Sequence, residues 1–245
     1  VDGGLGELRE VVAVMSWKRL DEYYSRADWV GKRFVEGRAC FDGVLMNQAV
    51  HLLNTSLQMG TREPGHATPL QVQAETYTVH ANIETEDLAC LRADLGEATL
   101  YFYATTCNMN RRERTTLDII GTKGRAIWSD AHATAILQEG TEMPFDAPAD
   151  RDAIHKNFCQ CIRGEADGLY APLREALKAT WTINGAYCSA GQIKRIGWDA
   201  VADIHALIEQ AAQERKLFSE MGVNWAFQGA KVGPAEWSKF NGEMA

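Results

Sequence analysis

The sequence predicts an α+β protein, on three observations: a Val-rich apolar segment near the N-terminus, a middle stretch where apolar and polar residues alternate between glycine turns, and a last third where apolar residues recur every three or four positions. Alternation with period two marks half-buried strands, and the three-and-four spacing marks helices with one apolar face. Strands grouped together and then helices grouped together are the order of an α+β fold. With 245 residues, 46% of them hydrophobic, the chain can bury roughly three quarters of its unfolded surface.

Leu8 to Met15 reads as the strand that enters the domain. Next come Trp17, Arg19, Tyr23, Tyr24, Arg26, Trp29 and Lys32, with Gly31 arguing for irregular backbone. Loops lie exposed, so this many aromatic rings in one connection should line a pocket, pack on a neighbour or cover the edge of the core. From Gly43 to Met59 the apolar residues Val44, Leu45, Val50, Leu52, Leu53 and Leu57 predict a helix of about 25 Å, apolar nearly all round and therefore deeply buried. Gly60 stops it, and Pro64, Gly65 and Pro69 keep the next stretch irregular.

Residues 70 to 138 read as successive strands. Ala89 to Leu95 and Ala98 to Thr106 make one antiparallel hairpin, turned at Gly96-Glu97. Thr115 to Ile120 and Arg125 to Trp128 make another, joined by Gly121 to Gly124, and Ala133 to Gln138 is a further strand. Tyr101, Tyr103 and Trp128 cannot all share the face of Leu100 and Phe102, so both sheet faces carry bulk. The face turned away from the helices is expected to bury against another subunit. After the Pro144 to Pro148 loop, helices are predicted over Asp150 to Arg163, Pro172 to Ala190 and Trp198 to Phe218. Gln228 to Ala245 is weakly patterned and is expected to lie across the surface or to be mobile.

Thirty-three acids against 25 bases give a net charge of −8, which leaves no broad cationic face and argues against nucleic acid as a partner. No run approaches the roughly 18 apolar residues of a membrane span, and no secretory segment opens the chain, so a cytoplasmic location is expected. A start at Val1 instead of Met leads us to expect a chain that has been trimmed, processed or excerpted. The six cysteines lack a framework spacing and read as small buried hydrophobes. Cys159 and Cys161 would point about 200° apart on a helix, so they and His155 are not expected to share a metal ion.

Motifs that cradle phosphates or build common active sites are missing. Gly4-Leu5-Gly6 has no strand before it and no third glycine, and Gly121 to Gly124 joins antiparallel strands. Neither suits the G-x-G-x-x-G turn of a dinucleotide-binding βαβ unit, so no cofactor-binding residue is assigned. The polar interruptions Asn47, Gln48 and His51 in the predicted buried helix are the constellation of interest. Asn47 and His51, four residues apart, would stand on one face with Cβ atoms about 6 Å apart. An imidazole beside an amide there could hold a hydroxyl and exchange its proton near neutral pH, the task of a general base. Equally, a buried histidine with an amide neighbour can be a satisfied core group.

The run Asp42-Gly43-Val44-Leu45-Met46-Asn47-Gln48-Ala49-Val50-His51, preceded by Trp17-Lys18-Arg19, Tyr23-Tyr24 and Trp29-Val30-Gly31-Lys32, resembles the start of the C-terminal domain of the Gfo/Idh/MocA oxidoreductases. Glu86-Asp87, Ile119 to Arg125, Ala186 to Ala190 and Phe218 to Ala226 agree in order and spacing. The resemblance implies an open, largely antiparallel sheet with helices packed on one face, of the kind also seen in dihydrodipicolinate reductase. It makes residues 1–245 one substrate-binding and oligomerisation domain, pairing into a homodimer or tetramer through the sheet face. It implies NAD or NADP in the intact enzyme, bound by a Rossmann domain or a partner chain, and a sugar-like substrate oxidised at a hydroxyl by hydride transfer. His51 falls on the family's catalytic histidine, and Asn47 falls where many members have Asp. Arg19, Tyr23, Tyr24, Arg26, Trp29, Lys32 and Gln48 would line or approach the sugar, while Arg111 and Arg112 are expected in solvent. The alternative is a binding or scaffold module that keeps the fold without the chemistry.

Overall fold

In the computed structural model, residues 4–109, 112–129, 133–137, 140–145 and 152–244 are described. The chain enters through β1 (Leu8–Ser16), makes one helical turn α1 (Asp21–Tyr24) and a small ribbon of β2 (Phe34–Val35) and β3 (Arg38–Ala39), and reaches α2 (Val50–Met59). A first meander follows, β4 (Gln71–Thr78), β5 (Leu88–Asp94) and β6 (Thr99–Thr105). A second comprises β7 (Arg114–Gly121), β8 (Gly124–Ser129), β9 (Ala133–Leu137) and β10 (Glu142–Phe145). The remainder is α3 (Ala153–Arg163), α4 (Leu173–Ala190), β11 (Lys194–Arg195), α5 (Ile204–Glu214) and α6 (Pro234–Trp237).

These strands form one open sheet in the order β10-β9-β8-β7-β1-β6-β5-β4-β11. All pairs are antiparallel except β1 with β6 and β4 with β11. β1 therefore joins the two meanders from the middle of the sheet. Its continuous apolar run follows from that position, because a central strand covered on both faces has no solvent side. Val11, Ala13 and Met15 face a core that includes Leu52, Leu53 and Leu57 of α2 and Ala179, Ile183 and Ala186 of α4. Val12 and Val14 face a second core with Ile204, Ile208 and Ala211 of α5.

The fold is the α+β, mostly antiparallel open sheet expected from the sequence. α2 and α4 cover one face, and α5 adds a cover on part of the other. There the Tyr103 hydroxyl lies 2.9 Å from the carbonyl of Ala211 and 2.8 Å from that of Lys216. What stays open on that second face is the β7–β8 portion, with Asp118 paired to Ile127 and Ile120 to Arg125.

Several elements differ from the expectation. The helix predicted from Gly43 begins only at Val50, and residues 43–49 form turns. Glu86 holds the N–H groups of Val44 and Leu45 through its carbonyl and carboxylate, and the helical ladder is broken at Ala49, whose N–H bonds to the Val44 carbonyl five residues back. Nor is α2 buried all round, for His51 and Gln58 are exposed. The segment Trp198 to Phe218 is three pieces: a 3-10 turn at Trp198–Val201, α5, and a second 3-10 turn at Phe218–Met221.

The C-terminal stretch is anchored. Val232 bridges to Val72, Trp237 is 4% exposed, and the Phe240 ring stacks on Tyr187 at 5.8 Å. Aromatic residues spaced too irregularly to give a period supply that anchorage. β10 and β11 escaped the sequence reading because both are short edge strands, and β10 holds Pro144, whose missing N–H is tolerated at an edge. Cys90 and Cys107 are buried as expected, whereas Cys159 is exposed. Among the described residues, no helix is long and apolar enough to cross a membrane.

Candidate functional site

Four consecutive residues at the entry to β5 hold the segments that carry the candidate site. The Glu84 carboxylate accepts from the Lys32 ammonium at 2.8 Å and from the Arg33 N–H at 3.3 Å. The Thr85 hydroxyl donates to the Asp42 carbonyl at 3.0 Å. Glu86 takes the Leu45 N–H at 3.0 Å and the Tyr187 hydroxyl at 3.0 Å on its carboxylate, and the Val44 N–H at 2.8 Å on its carbonyl. Asp87 accepts the N–H groups of Val79 and His80 and lies 2.7 Å from His80 Nδ1. The other ring nitrogen of His80 is 3.0 Å from the Arg19 carbonyl.

Glu86 is enclosed, and burial pushes its carboxyl up to about 7. Its approach explains Gly43: a Cβ there would lie 2.3 Å from the carboxylate oxygens. Gly31 is needed for a related reason. It has φ +69°, a Cβ would lie 2.5 Å from the Ile83 side chain, and its N–H donates to Asp42 at 2.9 Å. Asp42 is buried, and its second oxygen accepts the Asn47 amide at 2.7 Å. The 42–48 turn is therefore fixed from both ends.

On this frame stand the residues singled out from the sequence. His51 is exposed on the first turn of α2, and its side chain makes no hydrogen bond among the described residues. Asn47 is half-buried and oriented by Asp42. Because residues 43–49 are turns, Asn47 and His51 are not the same-face helical pair that their spacing suggested. Gln48 is buried; its amide nitrogen donates to the Tyr23 hydroxyl at 3.1 Å, and its carbonyl oxygen is buried without a partner. Tyr23 in turn carries the Arg26 guanidinium over its ring at 3.7 Å, with Arg19 at 5.3 Å and Trp29 at 5.3 Å from Arg26.

Thus Gln48, Tyr23, Arg26, Trp29 and Arg19 form one cluster. Arg19 is already paired with Glu113 at 2.9 Å, and Lys32 with Glu84. Arg26 donates to the Tyr23 carbonyl and faces no carboxylate among the described residues. Tyr24 departs from the expected role. It is buried against Val30 and Ile83, its hydroxyl lies 2.6 Å from that of Thr106, and desolvation drives its ionisation far upward, so it braces the loop from inside. Arg112 is exposed, as expected, and Arg111 lies outside the described residues.

The sequence reading did not assign Asp42, Glu86 or the Asp87–His80 pair. The signal available was a doublet of carboxylates opening an otherwise apolar strand, which must find donors when buried. His80, Asp87 and Cys107 offer ligand atoms within 4.8 Å of one another. The His80 nitrogens and Asp87 oxygens already satisfy each other and the backbone, and burial pushes the Cys107 thiol well up, so the trio is a hydrogen-bonded strut. Among the described residues, His51 does not line the grooves on either side of it. One of about 430 Å³ runs beside Met59, Arg62 and Ile119, and one of about 260 Å³ lies under Met46, Phe41 and Tyr187. The imidazole is exposed to solvent.

The turn Gly121 to Gly124 does not fit a dinucleotide phosphate. It joins antiparallel β7 and β8, and Gly121 is required because a Cβ would lie 2.1 Å from the Leu5 carbonyl oxygen.

This open sheet, with two helices on one face and the clamped turn before α2, is an α+β domain fold shared with solved oxidoreductases. Residues 1–127 match the model described as the GFO/IDH/MocA C-terminal domain, and the chain belongs to that family. No curated protein sequence matches it. Among solved structures it resembles the WlbA dehydrogenase from Bordetella pertussis in complex with NADH and UDP-GlcNAcA, at 24% identity and TM-score 0.59, over 77% of this chain and 54% of that one. It also resembles an oxidoreductase from Agrobacterium radiobacter in complex with NAD+, L-tartaric acid and magnesium, at 16% identity and TM-score 0.59, over 78% and 57%. A third is a putative oxidoreductase from Klebsiella pneumoniae, at 16% identity and TM-score 0.56, over 87% and 61%. The chain thus spans little more than half the length of the first two.

Proposed function

We propose that this chain is the substrate-holding domain of an NAD(P)-dependent oxidoreductase that oxidises a hydroxyl of a sugar, cyclitol or glycoside. The observation that carries the reading is the exposed His51 imidazole beside a turn whose amides are fixed by Asp42 and Tyr23. The solved relatives with bound NADH or NAD+ support it by likeness of fold.

In this reading His51 accepts the proton of the substrate hydroxyl, the Asn47 side chain, held by Asp42, orients it, and Gln48 positions Tyr23 from the buried side. Tyr23 and Trp29 offer ring faces to the apolar side of a pyranose, and Arg26, with no carboxylate partner among the described residues, suits an acidic substituent. The nicotinamide group that accepts the hydride is held outside this chain, by a Rossmann domain in the same polypeptide or another. Residues 1–245 act as one domain, in the cytoplasm, and copies pair through the open β7–β8 part of the sheet face.

The test is to join the chain to a nucleotide-binding domain and follow nicotinamide reduction with a panel of neutral sugars, sugar acids and nucleotide sugars. Turnover is expected with at least one class, and His51→Ala should lower it about 10²-fold or more with the assembly unchanged. An unaltered rate in His51→Ala would remove His51 from the chemistry, and no turnover with any substrate class would leave the scaffold reading standing.

A further inference from the structure

The segment between α2 and β4 is fastened to α4 at His66. Its backbone N–H donates to Glu175 Oε2 at 2.7 Å, and its carbonyl accepts the Lys178 ammonium at 2.5 Å. Glu175 and Lys178 are themselves paired at 2.9 Å. Gly65 permits the approach: it has φ +107°, and a Cβ there would lie 2.8 Å from Glu175 Oε2. The next residue, Ala67, donates its N–H to the Leu57 carbonyl near the end of α2 at 2.8 Å. Within this latch lies the His66 imidazole, 9% exposed, with both nitrogens buried and without a hydrogen bond. Nδ1 is 3.4 Å from Glu175 Oε2, an oxygen already committed to the His66 N–H and to Lys178. Buried polar atoms are nearly always paired, so two unpaired atoms on one ring call for an explanation.

We propose that His66 is an acid-sensitive release for this latch: when the imidazole takes up a proton, residues 61–67 come away from α4. The neutral ring leaves only one neutral donor and one acceptor unpaired, whereas the imidazolium carries a donor on each nitrogen. Nδ1–H can turn towards Glu175, but Nε2–H then holds charge where it has no acceptor, beside the ammonium of Lys178. The other charges nearby do not offset this. On α4, Arg174 lies 3.7 Å from Glu175 and brings a further cation. On the segment itself Arg62 and Glu63 are exposed, and Glu97 in the β5–β6 turn is occupied by the Thr61 hydroxyl and the Arg62 N–H. α2 has no ionisable side chain after His51. Burial accordingly holds His66 below its usual 6.5. Above pH 6.5 the latch therefore has its full stability, which is lost as pH falls through the lower value of the folded protein. Residues 61–65 wall the groove of about 430 Å³ beside Met59 and Ile119, so release widens that groove.

The experiment is an NMR titration of the 245-residue chain from about pH 7.5 to about pH 5, a window centred near the ordinary histidine value. The carbon-bound ring protons of His66 should titrate below 6.5. Exchange of the Ala67 amide, corrected for its intrinsic rate at each pH, should lose protection about ten-fold for each pH unit between the unfolded and folded values, because the open form takes up the proton first. His66→Leu replaces the unpaired ring by an apolar side chain, and there the Ala67 amide should stay protected across the range. A His66 ring that titrates at or above 6.5, or the same pH dependence of Ala67 exchange in both proteins, overturns the proposal. Should His66→Leu misfold, His66→Gln serves as the variant that cannot titrate, and a loss of protection there equal to the wild type also overturns it.

Discussion

Replacing Glu86 by Gln separates the shape of the turn clamp from its charge. The carboxyl is fully enclosed, and burial raises it from an ordinary 4.5 to about 7. The folded protein therefore binds this proton more tightly than the unfolded chain. The group's stabilisation is fully present below pH 4.5 and is lost as pH rises towards 7. A separation of about 2.5 units, at 1.36 kcal/mol each, corresponds to about 3 kcal/mol across that window. The amide of Glu86→Gln can still accept the Leu45 N–H but cannot titrate. Urea unfolding of both proteins from pH 5 to pH 8 measures the difference directly. The wild type should gain on the variant as pH falls, by roughly 2 to 3 kcal/mol in all. Glu75, whose carboxyl burial also raises, is common to both and cancels. A difference independent of pH would refute the account of Glu86 as a desolvated carboxyl.

Two further outcomes follow from close approaches. Gly43→Ala forces a methyl group against the Glu86 carboxylate and should cost about 1 to 3 kcal/mol, seen as a drop in Tm of several degrees. Trp237→Ala removes a buried ring from the helix-covered face and should cost about 3 kcal/mol or more in chemical denaturation, whereas a surface tail would give almost no change.

Strands were legible where burial differs between faces. Ala89 to Leu95 and Ala98 to Thr106 alternate because one side meets α2 and α4 and the other meets α5, and the turn at Gly96 fixes their register. α2 was overextended because Val44, Leu45 and Val50 give a helical period whether or not the backbone is helical. The turn is instead tied down by Glu86, a contact across 41 positions that no local pattern contains. Likewise the cluster of Tyr23, Arg26 and Trp29 could be picked out by composition, while its link to Gln48 required the folded loop. Tyr24 could not be told from Tyr23 by type; Thr106 and His80 decide which ring turns inward.

Tyr187 has one end on the Glu86 carboxylate and packs its ring against Phe41 and Phe240, which also meet each other. The Trp237–Phe240 segment thus braces a turn that lies far earlier in the sequence, and that turn cannot settle before the segment has docked. Removing residues from Trp237 onward, far from His51 in the sequence, should loosen the 42–48 loop.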